Sequence, residues 1–190
     1  MRRERFHSGE IIKIQTELFG GISVQLNGIS IATILSADKR EIHYTVFPNG
    51  FVGLEAILTE RALFTYEALT DVDLLSFSIE EFKSFLKRES KIFINLQRFV
   101  RSTFSEHRLR RVDDKDNLVK FLWIRAKRYG ITLSVYDLER FLGGPVNEEF
   151  LSRFSLFVNE EGILVEKPKP EGETHEEEGG GGTGDVDSDL

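Results

Sequence analysis

The sequence predicts an α+β protein in which a β-rich N-terminal part, one long helix and a smaller helical part follow one another. Three observations carry this prediction. Residues 6–77 contain short alternating stretches separated by turn residues. Residues 90–111 contain neither Gly nor Pro, and a helix of that length would span about 33 Å. After residue 111, apolar residues recur at helical spacing between glycine turns.

The N-terminal part is predicted to form short antiparallel strands. Asn27-Gly28 lies between two alternating stretches, which favours a β-hairpin at that point. Many short strands with evenly spaced turns are typical of a sandwich or a rolled barrel, and we call this part the β-roll. Ser78 is expected to cap a short helix after the roll, because Glu80 and Glu81 then lie in its first turn. The strands are expected at residues 10–14, 22–26, 29–35, 41–47, 51–58, 64–69 and 73–77.

The long helix carries apolar residues on nearly two faces. An ordinary surface helix needs one apolar stripe to face a core. We therefore predict that one stripe packs on its own subunit and the other on a second copy. We assign the first stripe to the interface of a homodimer, and a single thick core helix inside a monomer is the alternative. The first stripe is Ile92, Leu96, Phe99 and Thr103, and the second is Phe93, Gln97, Val100 and Phe104.

The part after the long helix has the pattern of a winged helix-turn-helix. A first helix is expected to end at Gly130. Ser134 is expected to cap the next helix, and the Gly143-Gly144 turn to end it. Asn147 then caps a third helix. That third helix is predicted over residues 148–161, followed by a strand at residues 163–167.

Charge is unevenly distributed along the chain. The formal net charge is −7, but residues 171–190 hold eight Asp and Glu and no Lys or Arg. We expect this acidic, Gly-rich tail to be disordered. Residues 83–128 instead hold 14 Lys and Arg against five Asp and Glu. A basic segment suits a polyanion partner, although a solvated helix surface is the more frequent reason for one.

The composition excludes several classes of site and indicates no enzyme. The chain has no Cys, which excludes disulfides, thiolate metal sites and iron–sulfur clusters held by protein thiolates. Its four His are scattered without metal-ligand spacing, and we predict no cofactor and no enzymatic activity. No apolar stretch is long enough for a membrane span, and the N-terminus has no secretory signal. We therefore expect a cytoplasmic protein without a membrane partner.

The order of these elements, together with five motifs, resembles the CRP/FNR family of transcription regulators. The β-roll is then similar to that family's cyclic nucleotide-binding domain. The motifs resemble the family's opening strand, two turns of its roll, the run that ends the roll, and its helix-turn-helix. They read FHSGEII at 6–12, VQLNG at 24–28, FPNGFVG at 47–53, EAL at 67–69 with the helix start at 79–82, and the segment 138–164.

The resemblance implies a division of the chain into four segments. These are a β-roll sensor domain at 1–89, a long dimerisation helix at 90–111, a winged helix-turn-helix domain at 112–170, and the acidic tail at 171–190.

The resemblance also implies a ligand site in the roll at Gly53, Glu55 and Arg61. Nucleotide-binding members hold ribose and phosphate with a Gly-Glu loop and an Arg-Ser/Thr-Ala motif. Here Leu54 follows Gly53, Glu55 lies one residue later, and the expected Arg position holds Ala62. Because both key groups are displaced, the predicted effector is an unidentified small molecule other than cAMP, if there is one.

The resemblance implies a second site, in which the third C-terminal helix contacts the bases of DNA. Where the family helix begins with an Arg that reads guanine, this chain has Glu148. Two adjacent carboxylates repel phosphates, so DNA binding is expected to be weak and salt-sensitive. Compensation of the helix dipole is an equally good local role for the two acids. The implied DNA-binding residues are Asn147, Glu148, Glu149, Ser152, Arg153 and Lys167.

We therefore expect a homodimeric transcription regulator whose partner is duplex DNA, with RNA polymerase as a further candidate partner. The alternative is a dimeric scaffold or protein-interaction module that keeps the architecture and has lost DNA reading. Glu148 and the displaced Glu55 and Arg61 favour the alternative.

Overall fold

The computed structural model describes residues 1–18, 20–36, 39–59 and 61–168. The segment 171–190, for which the sequence predicts disorder, lies outside the described residues. Among the described residues, the N-terminal part forms eight strands. They are β1 (Arg2–Phe6), β2 (Ile11–Lys13), β3 (Ile22–Asn27), β4 (Ser30–Leu35), β5 (Arg40–Val46), β6 (Phe51–Val52), β7 (Thr65–Ala68) and β8 (Val72–Phe77).

These strands make two antiparallel sheets, as the alternating pattern predicts. One sheet has the order β1-β8-β3-β6 and the other the order β2-β7-β4-β5. The inward faces of both sheets supply the core of the β-roll, which includes Ala32, Tyr66 and Leu74. Burial along β8 comes near the alternation of a half-buried sheet, whereas residues 30–33 of β4 are all buried.

The predicted hairpin at Asn27-Gly28 is wrong. Strands β3 and β4 flank this turn but belong to different sheets, so the chain crosses here from one sheet to the other. Gly28 has a φ of 77°, and a Cβ at this position would lie 1.9 Å from the carbonyl oxygen of Asp71. The side-chain amide of buried Gln25 donates to the Gly28 carbonyl oxygen at 2.7 Å. The glycine therefore permits a close backbone crossing at a sheet corner.

Two other strand predictions also differ from the structure. Strand β1 is absent from the prediction, because its charged residues give no apolar alternation. It gains its order by pairing antiparallel with β8. The stretch predicted as a strand over 51–58 contains only the short β6, and a 3₁₀ helix (Leu54–Ile57) follows from Gly53, whose φ is 77°.

The helices follow the capping signals closely. Helix α1 (Ile79–Arg88) has a complete capping box between Ser78 and Glu81. Helix α2 (Ser90–Arg111) covers the whole predicted stretch, but the expected cap Ser90 is its first helical residue, and the N-cap residue Glu89 makes no side-chain cap hydrogen bond. Two further helices, α3 and α4, also have side-chain caps. They are α3 (Lys115–Arg128), capped by Asp114, and α4 (Val135–Leu142), capped by Ser134.

The third C-terminal helix is much shorter than predicted. Helix α5 (Glu148–Ser152) begins after the Asn147 cap as expected, but it stops well before residue 161. Ser155 has a φ of 56°, which a helix cannot accommodate, and the chain continues as a strand. Strands β9 (Leu156–Val158) and β10 (Leu164–Glu166) pair as an antiparallel hairpin.

The C-terminal helices pack directly on the β-roll of the same chain. One buried apolar cluster contains Ile29, Ile31, Phe47 and Leu69 from the roll and residues from α3 and α4. Those helical residues include Leu118, Val119, Leu122, Leu138 and Phe141. The two parts of the chain therefore share a core, and polar contacts at its edge reinforce the arrangement.

Candidate functional site

The interior of the roll, next to α2, is filled by aromatic side chains. The Tyr44 ring meets the Phe64 ring edge-on at a centroid distance of 5.2 Å and the Phe99 ring at 5.9 Å. Phe99 in turn lies 5.7 Å from Phe51. Such edge-to-face pairs stabilise a core beyond the area that they bury. We call Phe51, Phe64, Phe99, Tyr44 and Tyr66 the aromatic plug.

A chain of hydrogen bonds runs through this plug to a carboxyl group. The Tyr66 hydroxyl donates to Glu55 Oε2 at 2.7 Å. The Tyr44 and Tyr66 hydroxyl oxygens lie 2.6 Å apart, so Tyr44 must donate to Tyr66. Glu55 Oε1 is buried and has no hydrogen-bond partner among the described residues. Burial raises the pKa of Glu55 above its ordinary value, although the Tyr66 hydroxyl acts in the opposite direction.

The three residues that are predicted to bind a ligand in the roll have different contacts within the protein. Gly53 begins the 3₁₀ turn, and Glu55 points at Tyr66 inside the plug. The Arg61 guanidinium is exposed and donates to the carbonyl oxygen of Thr16 at 2.8 Å. The carboxyl and guanidinium groups that would hold one nucleotide are therefore each engaged within the protein.

The two stripes of α2 have opposite environments. Ile92, Leu96 and Phe99, from the stripe assigned to the dimer interface, pack against the core of the roll. Thr103, on the same stripe, is partly buried, and its hydroxyl donates to the Phe99 carbonyl oxygen at 3.0 Å. All four residues of this stripe are partly buried against their own subunit, and its assignment to a dimer interface stays a prediction. The second stripe is the exposed one: Phe93 is 53%, Val100 38% and Phe104 71% exposed, and Gln97 is exposed as well.

The residues predicted to read DNA lie together around α5 and the β9–β10 hairpin. Asn147 caps α5 by accepting from the Phe150 amide at 2.8 Å. The Ser152 hydroxyl donates to the carbonyl oxygen of Glu149 at 2.7 Å, and both Glu148 and Glu149 are exposed. Lys167 is exposed just after β10, and its amide donates to the Ser155 carbonyl oxygen at 2.7 Å.

Arg153 already has partners within the chain. Its guanidinium forms an ion pair with Asp116 of α3. It also lies over the Phe150 ring at 5.2 Å and the Phe154 ring at 5.8 Å. The ion pair is about half exposed, so it costs little to exchange for a phosphate contact.

Sequence reasoning missed the residues that join the roll to the helices. The Glu106 side chain is fully buried, accepts from the Thr45 amide at 2.7 Å, and forms an ion pair with Arg110 at 2.7 Å. Arg140 of α4 pairs with Glu67 and donates to the carbonyl oxygens of Ala68 and Leu69. The one available signal was that Glu106 is the only acidic residue in α2, four positions before Arg110.

Comparison with known proteins identifies the fold. Residues 3–89 match the family model of the cyclic nucleotide-binding domain. No curated protein matches the sequence. Among the described residues, no helix is both long and apolar enough to cross a membrane.

Three solved structures share the fold over most of both chains. A CRP/FNR family transcriptional regulator from Thermus thermophilus has a TM-score of 0.58 at 16% identity and covers 86% of this chain and 92% of its own. The c-di-GMP responsive global regulator CLP of Xanthomonas campestris has a TM-score of 0.61 at 14% identity, covering 88% and 94%. FixK2 from Bradyrhizobium japonicum has a TM-score of 0.60 at 15% identity, covering 88% and 92%. The shared architecture extends well beyond the cyclic nucleotide-binding domain.

Proposed function

We propose that this chain is a homodimeric, DNA-binding transcription regulator of the CRP/FNR type. The observation that carries the proposal is the fold, because three solved regulators align with 86–88% of the chain. A match of that extent reaches far beyond the cyclic nucleotide-binding domain at 3–89 and into the helices after it. A fold alone does not determine function, so the separate parts of the proposal are supported from the site itself.

The proposed roles are assigned to the segments into which the sequence divides the chain. Residues 1–89 form the sensor domain, 90–111 the dimerisation helix, and 112–170 a winged helix-turn-helix. In the last of these, α4 and α5 are the two helices and the β9–β10 hairpin is the wing. The capped starts of α4 and α5 and the antiparallel pairing of β9 with β10 support this assignment.

The proposed dimer forms through the exposed stripe of α2. Phe93, Val100 and Phe104 lie on one face of the helix, and Ile94 beside them is 44% exposed. A helix seam of this kind buries its apolar side chains when it meets a second copy. The proposed partner is a second copy of the chain, because a mainly apolar stripe on a long helix, interrupted here by Gln97, is complementary to an identical stripe across a two-fold axis. The dimer would hold two α5 helices for half-sites about 34 Å apart.

The proposed effector of the roll is not a cyclic nucleotide. The aromatic plug occupies the space between the sheets and α2, and the Glu55 carboxyl is hydrogen-bonded to Tyr66. Arg61 is turned to Thr16. Binding a purine nucleotide between the sheets and α2 would require the plug to leave the core, which would expose several aromatic rings. The cavity of about 390 Å³ that remains in the roll is lined by Gly53 but by neither Glu55 nor Arg61.

The second candidate is a dimeric interaction module without DNA reading. Two observations favour it: α5 has five residues, and it begins with Glu148 and Glu149 rather than with a cation. Another protein would then be the partner of the exposed surfaces, whereas RNA polymerase is a candidate partner of the regulator.

A salt titration of binding to random-sequence duplex DNA separates these two functions. The regulator predicts binding at low ionic strength that weakens steeply as salt rises, because released counterions drive it. Arg153→Ala should weaken binding about tenfold, since one phosphate or base contact with a charged group is lost. Arg88→Ala, the matched control, removes an exposed Arg from the end of α1 and should change affinity little. Absence of binding at low salt would favour the interaction module.

A further inference from the structure

A cleft lies between the roll and the C-terminal helices, apart from the roll interior and from α5. Its walls come from β5, the end of α2, the start of α3 and the end of α4. Its volume is about 700 Å³. Pockets for small molecules commonly have volumes of about 300–1,000 Å³. We call this region the interdomain cleft.

The interdomain cleft has more cationic than acidic side chains at its surface. Two acids, Glu41 and Asp113, also line it, and Lys39 already pairs with Glu41. Five cationic side chains from four elements converge on one space, which concentrates positive potential. They are Arg40, Arg110, Arg111, Lys115 and Arg140.

Three of these five cations form ion pairs with acids of the same chain, but the acids do not balance the positive charge of all five. Arg40 and Arg140 both pair with Glu67, so a single carboxylate serves two guanidinium groups. Arg110 pairs with Glu106, and its side chain is 12% exposed. These pairs make the deep wall of the cleft rigid. A rigid array of guanidinium groups is well suited to a phosphate, which it can bind with paired hydrogen bonds.

The remaining two cations have no ion-pair partner in the part of the chain that the structure describes. Arg111 lies in the last turn of α2, where the helix dipole favours a cation. Lys115 is the first residue of α3, where the dipole disfavours one. Helix stability therefore does not explain why a cation stands at Lys115. An anion bound between the exposed side chains of Arg111 and Lys115 would explain it.

The floor of the cleft is apolar. Ile42, Leu118 and Leu142 line it. The His107 ring also faces the cleft and stacks with His43 at a centroid distance of 5.8 Å. Cations at the walls and an apolar, ring-lined floor match a ligand that has both phosphate groups and a flat, weakly polar group.

We propose that the interdomain cleft binds a small organic phosphate of the nucleotide class with two or more phosphate groups. Arg111 and Lys115 contact the phosphates, Arg40, Arg110 and Arg140 form the cationic wall, and the apolar floor accepts the base. A duplex is a poorer occupant, because Arg110 and Arg140 are only 12% and 10% exposed within a concave site. Duplex phosphates are instead reached by convex surfaces.

Such a ligand would connect the two parts of the chain. It touches the roll at β5 and the helical part at α3 and α4, so its binding favours the arrangement in which these elements are docked. If the chain is a regulator as proposed above, this contact would bias the position of α5 relative to the roll. Binding itself does not depend on that proposed function.

Isothermal titration of the full chain tests the proposal, with Mg²⁺-free ATP as the probe and with pyrophosphate and adenosine as its fragments. We expect saturable binding of ATP at low ionic strength, weaker binding of pyrophosphate, and no measurable binding of adenosine. The variant Arg111→Ala with Lys115→Ala should weaken ATP binding at least about tenfold, because two charge-assisted contacts are lost. Both residues are exposed and lack ion pairs among the described residues, so the variant is expected to fold.

The control variant is Lys120→Ala with Arg128→Ala, which removes two exposed cations of α3 that do not line the cleft. Its ATP affinity should stay within about twofold of the parent value. The proposal is overturned if ATP does not bind, or if both double variants lose affinity equally. It is also overturned if duplex DNA, and not ATP, is the ligand whose binding depends on Arg111 and Lys115. Loss of DNA binding by Arg153→Ala with ATP binding retained would separate this site from the proposed reading helix.

Discussion

The roll interior and the interdomain cleft are two concave regions of one chain, and they are completed in opposite ways. Next to α2 the roll interior is filled by the aromatic plug, in which the Glu55 carboxyl is hydrogen-bonded to Tyr66, and a smaller cavity of about 390 Å³ remains beside Gly53. The cleft is open, holds about 700 Å³, and has more cations than acids at its surface. A shared fold therefore fixes where concave regions occur, while the side chains decide which of them can accept a ligand.

The polar contacts that support the two regions also differ, because those at the cleft are charged and those in the roll interior are mostly neutral. At the cleft, a buried acid holds the roll and α2 together, since Glu106 accepts from the Thr45 amide and pairs with Arg110. In the roll interior the hydrogen bonds run between neutral tyrosines and one carboxyl group. Removing a charged partner at the cleft should therefore lower the free energy of unfolding more than removing a hydroxyl group in the roll interior.

The largest effect is expected at the cleft wall. Glu106→Ala leaves the Arg110 guanidinium buried without its carboxylate and the Thr45 amide without its acceptor. We expect a loss of about 4 kcal/mol in the free energy of unfolding, measured by urea denaturation. Glu160→Ala removes an exposed acid and serves as the control, with an expected change below about 0.5 kcal/mol. A small effect at Glu106 would mean that the roll and α2 do not depend on this contact.

The next largest effect concerns the exposed stripe of α2. Phe104→Asp places a charge in the proposed dimer seam, and we expect the dimer to weaken by at least about 2 kcal/mol, or about thirtyfold in dissociation constant. Sedimentation equilibrium measures this change. Leu58→Asp makes the same kind of substitution at a roll residue that is 88% exposed, and it should leave the dimer intact. Equal weakening by both variants would argue against a seam at α2.

How much of this could be predicted from the sequence depends on whether the signal is local. The bounds of α2 follow from an uninterrupted stretch of helix-forming residues, and Ser78, Ser134 and Asn147 cap the helices as expected. Local signals fail where a distant contact decides the conformation. Asn27-Gly28 resembles a hairpin turn but forms a sheet corner, because Gly28 packs against the Asp71 backbone.

The site was harder to predict, for a related reason. The two stripes of α2 are about equally apolar, so periodicity alone could not tell which one faces the roll. Glu55 was singled out as a notable carboxyl of the ligand loop, but its partner Tyr66 lies 11 positions away in sequence, and Tyr44 lies 22 positions from Tyr66. The interdomain cleft joins residues from 40 to 143 and had no local signal.

A smaller effect is expected inside the plug. Tyr66→Phe removes the donor to Glu55 Oε2 and the acceptor for the Tyr44 hydroxyl. Unsatisfied buried polar groups cost about 1–3 kcal/mol, and we expect a loss of about 1.5 kcal/mol in thermal or urea unfolding. Tyr136→Phe, at a residue that is 61% exposed, should change stability by less than about 0.5 kcal/mol. If both variants unfold alike, the hydrogen-bond chain contributes nothing to stability.

The smallest effect is a change in pH dependence. Burial raises the pKa of Glu55 above its ordinary value of 4.5, so folding favours the protonated form. Its contribution to stability is fully present below about pH 4.5 and is lost as pH rises through the folded-state pKa. Glu55→Gln removes this titration, so its stability relative to the parent should increase as pH rises above about 4.5. Urea unfolding at several pH values measures the difference, and a difference independent of pH would contradict a buried carboxyl with a raised pKa.

The central claim is that two copies of this chain join through α2 and bind duplex DNA as a dimer. Sedimentation velocity of a fluorescently labelled random-sequence duplex, titrated with the full chain at low ionic strength, tests it most directly. The account predicts that the duplex shifts to a complex with two 21.8 kDa chains, without a populated one-chain complex. A chain that sediments as a single copy at high concentration and leaves the duplex unbound would contradict it.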